Sequence, residues 1–191
     1  QIFFSKIKII YPSLTIFASI LPLYFVATSS EYRLSRIETW LSRKCDLGID
    51  LLGDCFQLNQ SRIAISSGGL FGLGPGTSRA RWGSLPNSYS DFISSIIGEE
   101  YGFFGLFLLV LAFFILISTT FLIAIREKNE IKKLISVGFG SWVFFQTVIN
   151  LGGAVGIVPI TGIVLPFVSY GSSAMISIFI ALGIMYSRDY E

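Results

Sequence analysis

The stretch that decides the fold is Gly102–Ile125, GFFGLFLLVLAFFILISTTFLIAI. Its 24 residues include no charged side chain, and the charged run Arg126-Glu127-Lys128 follows directly. A transmembrane helix needs about 20 mostly apolar residues to cross the hydrocarbon core of a bilayer. This stretch therefore predicts a membrane-spanning helix.

Three further apolar stretches on either side of it meet the same length requirement. Pro159, Gly162 and Pro166 interrupt the apolar sequence between the last two stretches, which predicts a sheltered re-entrant connection. We therefore predict an all-α polytopic integral membrane protein with four transmembrane helices and a large extracytoplasmic loop. The predicted segments are spans 9–28, 91–125, 134–158 and 168–186, the outer loop 29–90, the cytoplasmic loop 126–133 and the outer connection 159–167.

The composition agrees with lipid as the main solvent. Of the 191 residues, 52% are apolar and 14% are charged, whereas soluble domains have about 25% charged residues. The net charge of +2 is too small to indicate a nucleic-acid-binding surface. With no histidine and two cysteines, the usual zinc sites and His-based triads are excluded. The first residue is Gln1, so we expect a fragment of a longer protein.

The short loop 126–133 orients the predicted helices. It contains four basic residues within eight positions, Arg126, Lys128, Lys132 and Lys133. Short basic loops lie on the cytoplasmic side of membranes, whereas long loops follow this rule poorly. We therefore expect both ends of the chain to be cytoplasmic and the loop 29–90 to lie outside.

The loop 29–90 contains signals for short helices. Arg33, Ile37, Trp40 and Leu41 have the spacing of an amphipathic helix at a membrane surface, and 57–67 predicts a second short helix. Cys45 and Cys55 lie ten residues apart in this loop. They could form a disulfide or remain free, because the sequence does not determine the geometry that a disulfide needs.

Five glycines lie within the nine residues Gly68–Gly76 of the same loop. Glycine permits positive φ values and close backbone approach, and successive N–H groups in such a run could form an anion-binding nest. No Gly-Lys-Ser/Thr follows and no strand is predicted before the run, which excludes a Walker loop. The run is therefore either a flexible turn or an anion-binding nest.

Asp91 lies where the outer loop enters the second apolar span. A carboxylate there is either a helix cap or a partly desolvated base that accepts a proton from a substrate hydroxyl. On one continuous helix Glu99 would lie about 80° from Asp91, so both could face one cavity. Glu99 and Glu100 could instead form a structural network between helices.

Gln146 and Asn150 are four residues apart, so they share one face of the third predicted span. Polar side chains at membrane depth commonly hold neighbouring helices together. The alternative is that the two amides line a substrate pathway.

Two motifs resemble the SEDS family of bacterial cell-wall proteins, which serve shape, elongation, division and sporulation. The resemblance covers nearly the whole chain and is strongest over 68–102 and 146–173. The first motif is Leu85-Pro86, Asp91-Phe92-Ile93 and Gly98-Glu99-Glu100-Tyr101-Gly102, and the second is Pro159, Gly162, Leu165-Pro166 and Ser169-Tyr170-Gly171. The segment Arg79-Ala80-Arg81-Trp82 is more similar to the division members than to the elongation members.

The chain departs from the family pattern in three places. Asn87-Ser88-Tyr89-Ser90 stands where the family commonly has Glu-Ala-His-Thr, and Thr161 stands where a lysine is frequent. Gly171-Ser172-Ser173 has one glycine fewer than the frequent Gly-Gly-Ser-Ser. These differences weaken the transfer of fine substrate contacts and leave the aspartate and its flanks intact.

The resemblance implies that the chain is the C-terminal part of a ten-helix bundle in the bacterial cytoplasmic (inner) membrane, with the active site facing outward. It implies a peptidoglycan glycosyltransferase that polymerises lipid II into β-1,4 glycan strands during cell division. The expected partners are lipid II, a class B penicillin-binding transpeptidase and other division proteins. The sugar is α-linked in lipid II and β-linked in the product, so the reaction inverts the anomeric centre and needs one base on the acceptor hydroxyl.

The resemblance assigns the catalytic role to Asp91. Arg33, Arg79 and Arg81 are the cations predicted to hold the pyrophosphate. No metal ligand is predicted, although a divalent cation, Mg²⁺ or Mn²⁺, could bridge the pyrophosphate and a carboxylate. The other predicted substrate-binding residues are polar: Gln57, Gln60, Ser61, Glu99, Gln146, Asn150, Ser169, Tyr170, Ser172 and Ser173.

Two other functions fit the same sequence. A flippase or other transporter of lipid-linked precursors would also have kinked helices and intramembrane polar residues, but it needs an inward-facing polar route. A non-catalytic scaffold for the transpeptidase would tolerate substitution of Asp91. Membrane lipid is a partner in each interpretation, and nucleic acid is a partner in none.

Overall fold

The computed structural model describes residues 18, 22, 30–46, 52–53 and 55–186. Within these ranges the regular structure is helical and contains no strand, which confirms the predicted all-α class for this part of the chain. The predicted span 9–28 lies outside the described residues except at positions 18 and 22. The helices whose bounds the structure describes are α1 (Glu31–Leu41), α2 (Phe56–Ser67), a 3₁₀ turn (Ala80–Trp82), α3 (Ile93–Arg126), α4 (Glu130–Val155) and α5 (Ser172–Tyr186).

Helices α3 and α4 are long and apolar enough to cross a membrane. They contain 34 and 26 residues, which correspond to about 51 and 39 Å of helix against a hydrocarbon core of about 30 Å. Helix α5 is apolar but has 15 residues in its described part. Large side chains on α3, such as Phe103, Phe107 and Phe114, are exposed, as expected of a surface that faces lipid or further helices.

Helices α3 and α4 pack against each other as an antiparallel pair. The connection between them is short, and Asn129 caps α4 by accepting hydrogen bonds from the backbone N–H groups of Ile131 and Lys132. Since the helices are antiparallel, the start of α3 and the end of α4 lie at the same end of the pair. The residues at this end of the pair form the floor of the candidate site.

Helix α3 is kinked at Gly102, which has φ 66° and ψ −158°. The kink separates the N–H groups of Phe103 and Phe104 from the carbonyls of Glu99 and Glu100, their ordinary helical partners. The glycine-rich loop replaces those bonds: Phe103 N–H donates to the Gly69 carbonyl at 2.8 Å and Phe104 N–H to that of Leu70 at 3.2 Å. In return, the Glu99 carbonyl accepts from Leu73 N–H at 2.9 Å and the Glu100 carbonyl from Gly74 N–H at 3.0 Å.

The glycines of the loop make this backbone pairing sterically possible. A Cβ atom at Gly72 would overlap the Glu100 carbonyl oxygen, and one at Gly102 would overlap the Gly72 nitrogen. Two of the N–H groups that could have formed an anion-binding nest, those of Leu73 and Gly74, donate to helix α3 instead. The segment is therefore an ordered support of the kinked helix rather than a flexible turn.

Cys45 and Cys55 form a disulfide that joins the end of α1 to the start of α2, with Cα atoms 5.3 Å apart. Two polar contacts tie this pair of helices to the end of α4. The Trp40 indole donates to the Gly156 carbonyl at 3.3 Å, and Arg62 Nε donates to the Val155 carbonyl at 3.0 Å. These contacts hold helices α1 and α2 at the end of α4, next to the start of α3.

A small apolar core lies beneath this end of the molecule. It joins α2, the 3₁₀ turn, the start of α3 and the end of α4, and it consists of Ala64, Ala80, Leu85, Phe92, Ile96 and Ala154. The Ser61 hydroxyl is fully buried beside it and contacts the Ser95 hydroxyl at 2.7 Å and the Ala154 carbonyl at 2.6 Å. Because Phe92 is almost completely buried, the backbone next to Asp91 is fixed in place.

Candidate active site

A cavity of about 410 Å³ lies where the outer loop meets the start of α3 and the end of α4. This volume is within the range of small-molecule sites, about 300–1,000 Å³. Four segments build its wall: α1, the start of α2, the turn before α3 and the connection after α4. The lining residues are Arg33, Arg36, Ile37, Gln57, Asn87, Asp91, Pro159, Ile160, Thr161 and Gly162.

Asp91 supplies the carboxylate of this cavity. It precedes α3, whose N-cap is Phe92, so the prediction that Asp91 and Glu99 share a face of one helix is wrong. The Asp91 N–H donates to the Asn87 carbonyl at 3.0 Å, which closes a tight turn over 87–91. Its side chain is half-buried, which leaves the carboxylate both partly desolvated and accessible from the cavity.

The connection after α4 passes close to this carboxylate. Gly162 has φ +71°, and a Cβ atom added to it would lie 3.4 Å from Asp91 Oδ2. A residue with a side chain would be strained there and would contact the carboxylate. The glycine therefore allows the backbone of the connection to form one side of the cavity.

Asn150 links the two sides of the cavity. Its Nδ2 donates to the Asp91 carbonyl at 2.9 Å and to the Ile163 carbonyl at 2.8 Å. Asn150 is only 4% exposed. Its buried amide therefore holds the two segments together beneath the site. The interpretation that polar side chains on this face hold neighbouring segments together fits Asn150, whereas Gln146 Oε1 is buried without a hydrogen-bond partner among the described residues.

Arg33 and Arg36 place two guanidinium groups on the cavity wall. They are three residues apart on α1, so they lie on one face of that helix. Arg36 donates to Gln57 Oε1 at 2.6 Å, which joins α1 to α2 across the cavity. The combination of two cations with one carboxylate suits a substrate that has both an anionic group and a hydroxyl.

A second cavity, of about 380 Å³, adjoins the first at Asn87. Its other lining residues are Arg81, Gly83, Leu85, Ser88, Tyr89, Ser90 and Tyr170. The Tyr170 N–H donates to the Tyr89 carbonyl at 3.0 Å, so the connection after α4 is tied to the outer loop here as well. Asn87 adopts a left-handed conformation with φ 55°, which is uncommon for a residue other than glycine.

Arg81 lies beside aromatic rings in this second cavity. Its Cζ is 6.0 Å from the ring centroid of Tyr89 and 5.6 Å from that of Trp82. A side-chain hydrogen bond and a charge interaction with Tyr89, together with the charge of Glu100, hold the pKa of Arg81 above its usual range. The guanidinium therefore stays protonated and is already partnered by aromatic rings.

Several residues predicted to bind substrate lie away from the first cavity. Arg79 is exposed and lines neither cavity, and Arg81 and Tyr170 line the second cavity. Glu99 is 2% exposed, and its carboxyl group accepts hydrogen bonds from the Ser78 hydroxyl at 2.6 Å, the Ala80 N–H at 3.1 Å and the Ser67 hydroxyl at 3.5 Å. This is the structural network that the sequence left open as an alternative.

The remaining predicted residues divide between internal contacts and exposed positions. The Ser169 hydroxyl accepts a hydrogen bond from Leu165 N–H at 2.9 Å, and Ser61 is buried in the core contact described above. Gln60 is half-buried and lines neither cavity, whereas Ser172 and Ser173 are exposed at the start of α5. Of the residues predicted to bind substrate, Arg33 and Gln57 line the cavity that contains Asp91.

Arg36 and Asn87 are polar residues of the first cavity that were not among the predicted site residues. Arg36 had a usable signal, because it is one helical turn from Arg33 on the amphipathic helix already predicted. Asn87 had none, since the two cavities that it lines are formed by segments far apart in the sequence.

The first cavity offers one carboxylate to a divalent cation. In the part of the chain that the structure describes, no group of three or more His, Cys, Asp or Glu residues could hold a metal ion. Mg²⁺ and Mn²⁺ prefer several oxygen ligands, so a cation here would bind Asp91 and take its further ligands from substrate oxygens and water.

The cavity and the helices together define a class of protein. A polar cavity with a carboxylate and two guanidinium groups, built at the ends of apolar helices, suits a membrane protein that acts on an amphiphilic anionic substrate. The sequence profile of the FtsW/RodA/SpoVE family, described as a cell cycle protein, matches residues 1–191. The chain belongs to this family, which confirms the resemblance to the SEDS proteins.

Individual relatives agree with this assignment. The chain is 37% identical over 175 residues to "Probable peptidoglycan glycosyltransferase FtsW" of Wigglesworthia glossinidia brevipalpis, covering 90% of this chain and 45% of the relative. It is 45% identical over 130 residues to the protein of the same name from Bacillus subtilis, covering 68% and 32%. It is 39% identical over 165 residues to "Stage V sporulation protein E" of Bacillus subtilis, covering 84% and 44%.

A solved structure shares the fold. Its subject is "Structural coordination of polymerization and crosslinking by a peptidoglycan synthase complex", and the similarity has a TM-score of 0.59 at 26% sequence identity. The matched region covers 92% of this chain and 47% of the chain in that structure. The chain thus spans about half or less of the length of these proteins.

Proposed function

We propose that this protein is a peptidoglycan glycosyltransferase that polymerises lipid II into β-1,4-linked glycan strands. The observation that carries the proposal is the position of Asp91 in one cavity with Arg33 and Arg36. The names of the relatives support the same activity, because the FtsW relatives are called peptidoglycan glycosyltransferases.

Asp91 acts as the general base. The 4-hydroxyl of the acceptor sugar loses its proton to the Asp91 carboxylate as its oxygen attacks the anomeric carbon of the donor. The new glycosidic C–O bond forms opposite the departing group, and the bond between the anomeric carbon and the pyrophosphate oxygen breaks. The lipid pyrophosphate leaves with the bonding electron pair, so the anomeric configuration inverts without a covalent enzyme intermediate.

Arg33 and Arg36 stabilise the departing pyrophosphate. Negative charge develops on the bridging oxygen as the bond breaks, and guanidinium groups bind phosphate oxygens through paired N–H donors. Groups fixed in advance toward developing charge lower the barrier without reorganising during the reaction. The hydrogen bond from Arg36 to Gln57 fixes the Arg36 guanidinium in this way before the reaction begins. Asp91 is the carboxylate that would hold a divalent cation at this site, and such a cation would supply further positive charge.

The location of the cavity supports this use of a lipid-linked substrate. It lies at the end of the α3–α4 pair, where a polyprenyl chain could remain in the bilayer while the sugar and pyrophosphate enter the cavity. We place the protein in the bacterial inner membrane with this cavity facing outward, as the basic loop 126–133 predicts. Division as the process, and a transpeptidase as the partner, are supported by the FtsW names and by the polymerization and crosslinking complex.

The test is polymerisation of purified lipid II by the full-length protein with Asp91→Asn. Removing a general base costs about 10²–10⁴-fold in rate, so we expect that loss in turnover at an equal amount of folded protein. Asp46→Asn is the matched control, because it makes the same chemical change at a half-exposed carboxylate that is ion-paired with Arg62 at 2.7 Å. We expect the control to stay within about threefold of wild type, since exposed ion pairs contribute little.

The alternative functions give different results in the same experiment. Polymerisation at the wild-type rate by Asp91→Asn would remove the base assignment. Loss of precursor transport in the variant, with polymerisation retained, would favour a flippase. Retention of both, with transpeptidase binding intact, would favour a scaffold.

A further inference from the structure

The second cavity has a chemical character that differs from the first. Two tyrosine rings stand at its rim, Tyr89 at 48% and Tyr170 at 83% exposed. Exposed aromatic rings beside hydrogen-bonding groups suit a ligand that has both apolar and polar faces. The Asn87 amide and the Ser90 hydroxyl provide hydrogen-bonding groups on the same wall.

The guanidinium that lines the second cavity already has partners within the protein. Its cation, Arg81, lies against aromatic rings and within the electrostatic reach of Glu100. The first cavity has two guanidinium groups and is the better site for a pyrophosphate. Pyranose rings match the second cavity, because they present C–H faces to aromatic rings and hydroxyl and acetamido groups to amide and hydroxyl side chains.

The position of the second cavity relates it to the reaction. Asn87 belongs to the walls of both cavities, and its carbonyl accepts the Asp91 N–H. A saccharide in the second cavity would therefore lie one short turn of backbone from the carboxylate. The Tyr170 N–H bond to the Tyr89 carbonyl holds the two rings on segments that also line or support the first cavity.

We propose that the second cavity binds the sugar rings of the β-1,4-linked glycan strand, beside the cavity that binds the charged, reacting end of the substrate. This inference rests on the proposed function and adds a subsite for the uncharged polymer. Tyr170 is its principal contact, since its ring is the more exposed of the two. Tyr89 and Asn87 complete the site.

The experiment measures binding rather than turnover. The probe is chitotetraose, a β-1,4-linked N-acetylglucosamine tetramer that has no lipid and no phosphate, and it is titrated into full-length protein carrying Asp91→Asn. We expect saturable binding, which Tyr170→Ala weakens about three- to tenfold, the loss of one aromatic contact. Tyr170→Phe keeps the ring and should bind within about twofold of the parent.

Tyr101→Ala is the matched control, because Tyr101 is also an exposed tyrosine but lies on α3 outside both cavities. It should leave chitotetraose binding unchanged. Thermal unfolding of every variant checks that each protein is folded. Addition of inorganic pyrophosphate should leave chitotetraose bound, since the charged group is assigned to the other cavity.

Failure of the subsite and failure of the proposed function are distinguishable. Equal chitotetraose affinity in the parent and Tyr170→Ala, or no binding at millimolar probe, would overturn the subsite even if Asp91→Asn abolishes polymerisation. Binding that depends on Tyr170 would support it even if Asp91→Asn polymerises normally. If vesicles of phosphatidylglycerol protect Tyr170 from modification and chitotetraose does not, the rings belong to the bilayer interface and the subsite is wrong.

Discussion

Replacing Asn150 with alanine should disable the site without touching a group that reacts. The Asn150 amide donates to the carbonyls of Asp91 and Ile163, at 2.9 and 2.8 Å, and so ties the turn before α3 to the connection after α4. Asn150→Ala removes both donors from a position that is 4% exposed. The two carbonyls then lose their amide partner, and the two sides of the cavity can move apart.

The size of the effect follows from these two bonds. A hydrogen bond contributes about 0.5–1.5 kcal/mol net, and a buried acceptor left without a donor costs more. Loss of the two bonds therefore destabilises the organised arrangement of Asp91 and Gly162 by about 1–3 kcal/mol. If this whole amount falls on the active arrangement, turnover decreases about 5- to 150-fold.

The assay is lipid II polymerisation by the full-length protein, expressed per folded molecule after a thermal-unfolding measurement. Asn59→Ala is the matched control, since Asn59 Nδ2 is buried without a partner among the described residues. It should change turnover less than about threefold, because it removes no such bond. Wild-type turnover per folded molecule in Asn150→Ala would refute the argument that this amide holds the site together.

Three further predictions concern the surroundings of the cavity. Gly162→Ala should lower turnover about three- to thirtyfold, because a left-handed alanine costs about 1–2 kcal/mol and its Cβ contacts the Asp91 carboxylate; normal turnover would contradict the close approach. Glu99→Ala should lower the midpoint of thermal unfolding, since about 2–5 kcal/mol of hydrogen bonding is lost. The KM for lipid II should be unchanged in the folded fraction, and an altered KM would instead indicate that Glu99 contacts the substrate. Cys45→Ser should destabilise the protein by about 2–3 kcal/mol through loss of the disulfide to Cys55. Thermal unfolding with and without reductant measures this, and a reductant effect on the variant equal to that on the wild type would contradict it.

The helices could be predicted because their signals are local. The apolar stretch before Arg126 and the spacing of Arg33, Ile37 and Trp40 each predict a helix that the structure contains. The start of α3 was predicted less well. Asp91 was included in the span, whereas the turn that begins at Asn87 keeps it outside the helix and directs it to the cavity.

The candidate site could be predicted only in part, because its members come from distant segments. Asp91 was identified from a motif, and Arg33 from its position on an amphipathic helix. The different roles of Glu99 and Asp91 could not be separated, since burial of Glu99 depends on Ser78 folding back onto α3. The need for glycine at positions 72 and 102 could not be predicted either, because Gly72 and Gly102 come into contact only when the loop pairs with the kinked helix.

The claim on which the account depends is that the Asp91 carboxylate removes a proton from the acceptor sugar. Chemical rescue tests it most directly: the full-length protein with Asp91→Ala is assayed for lipid II polymerisation in increasing formate, a small carboxylate that fits beside the truncated residue in a cavity of about 410 Å³. We expect the Asp91→Ala protein to be nearly inactive and its rate to rise with formate, while the wild-type rate does not change. Polymerisation by Asp91→Ala at the wild-type rate without formate would contradict it.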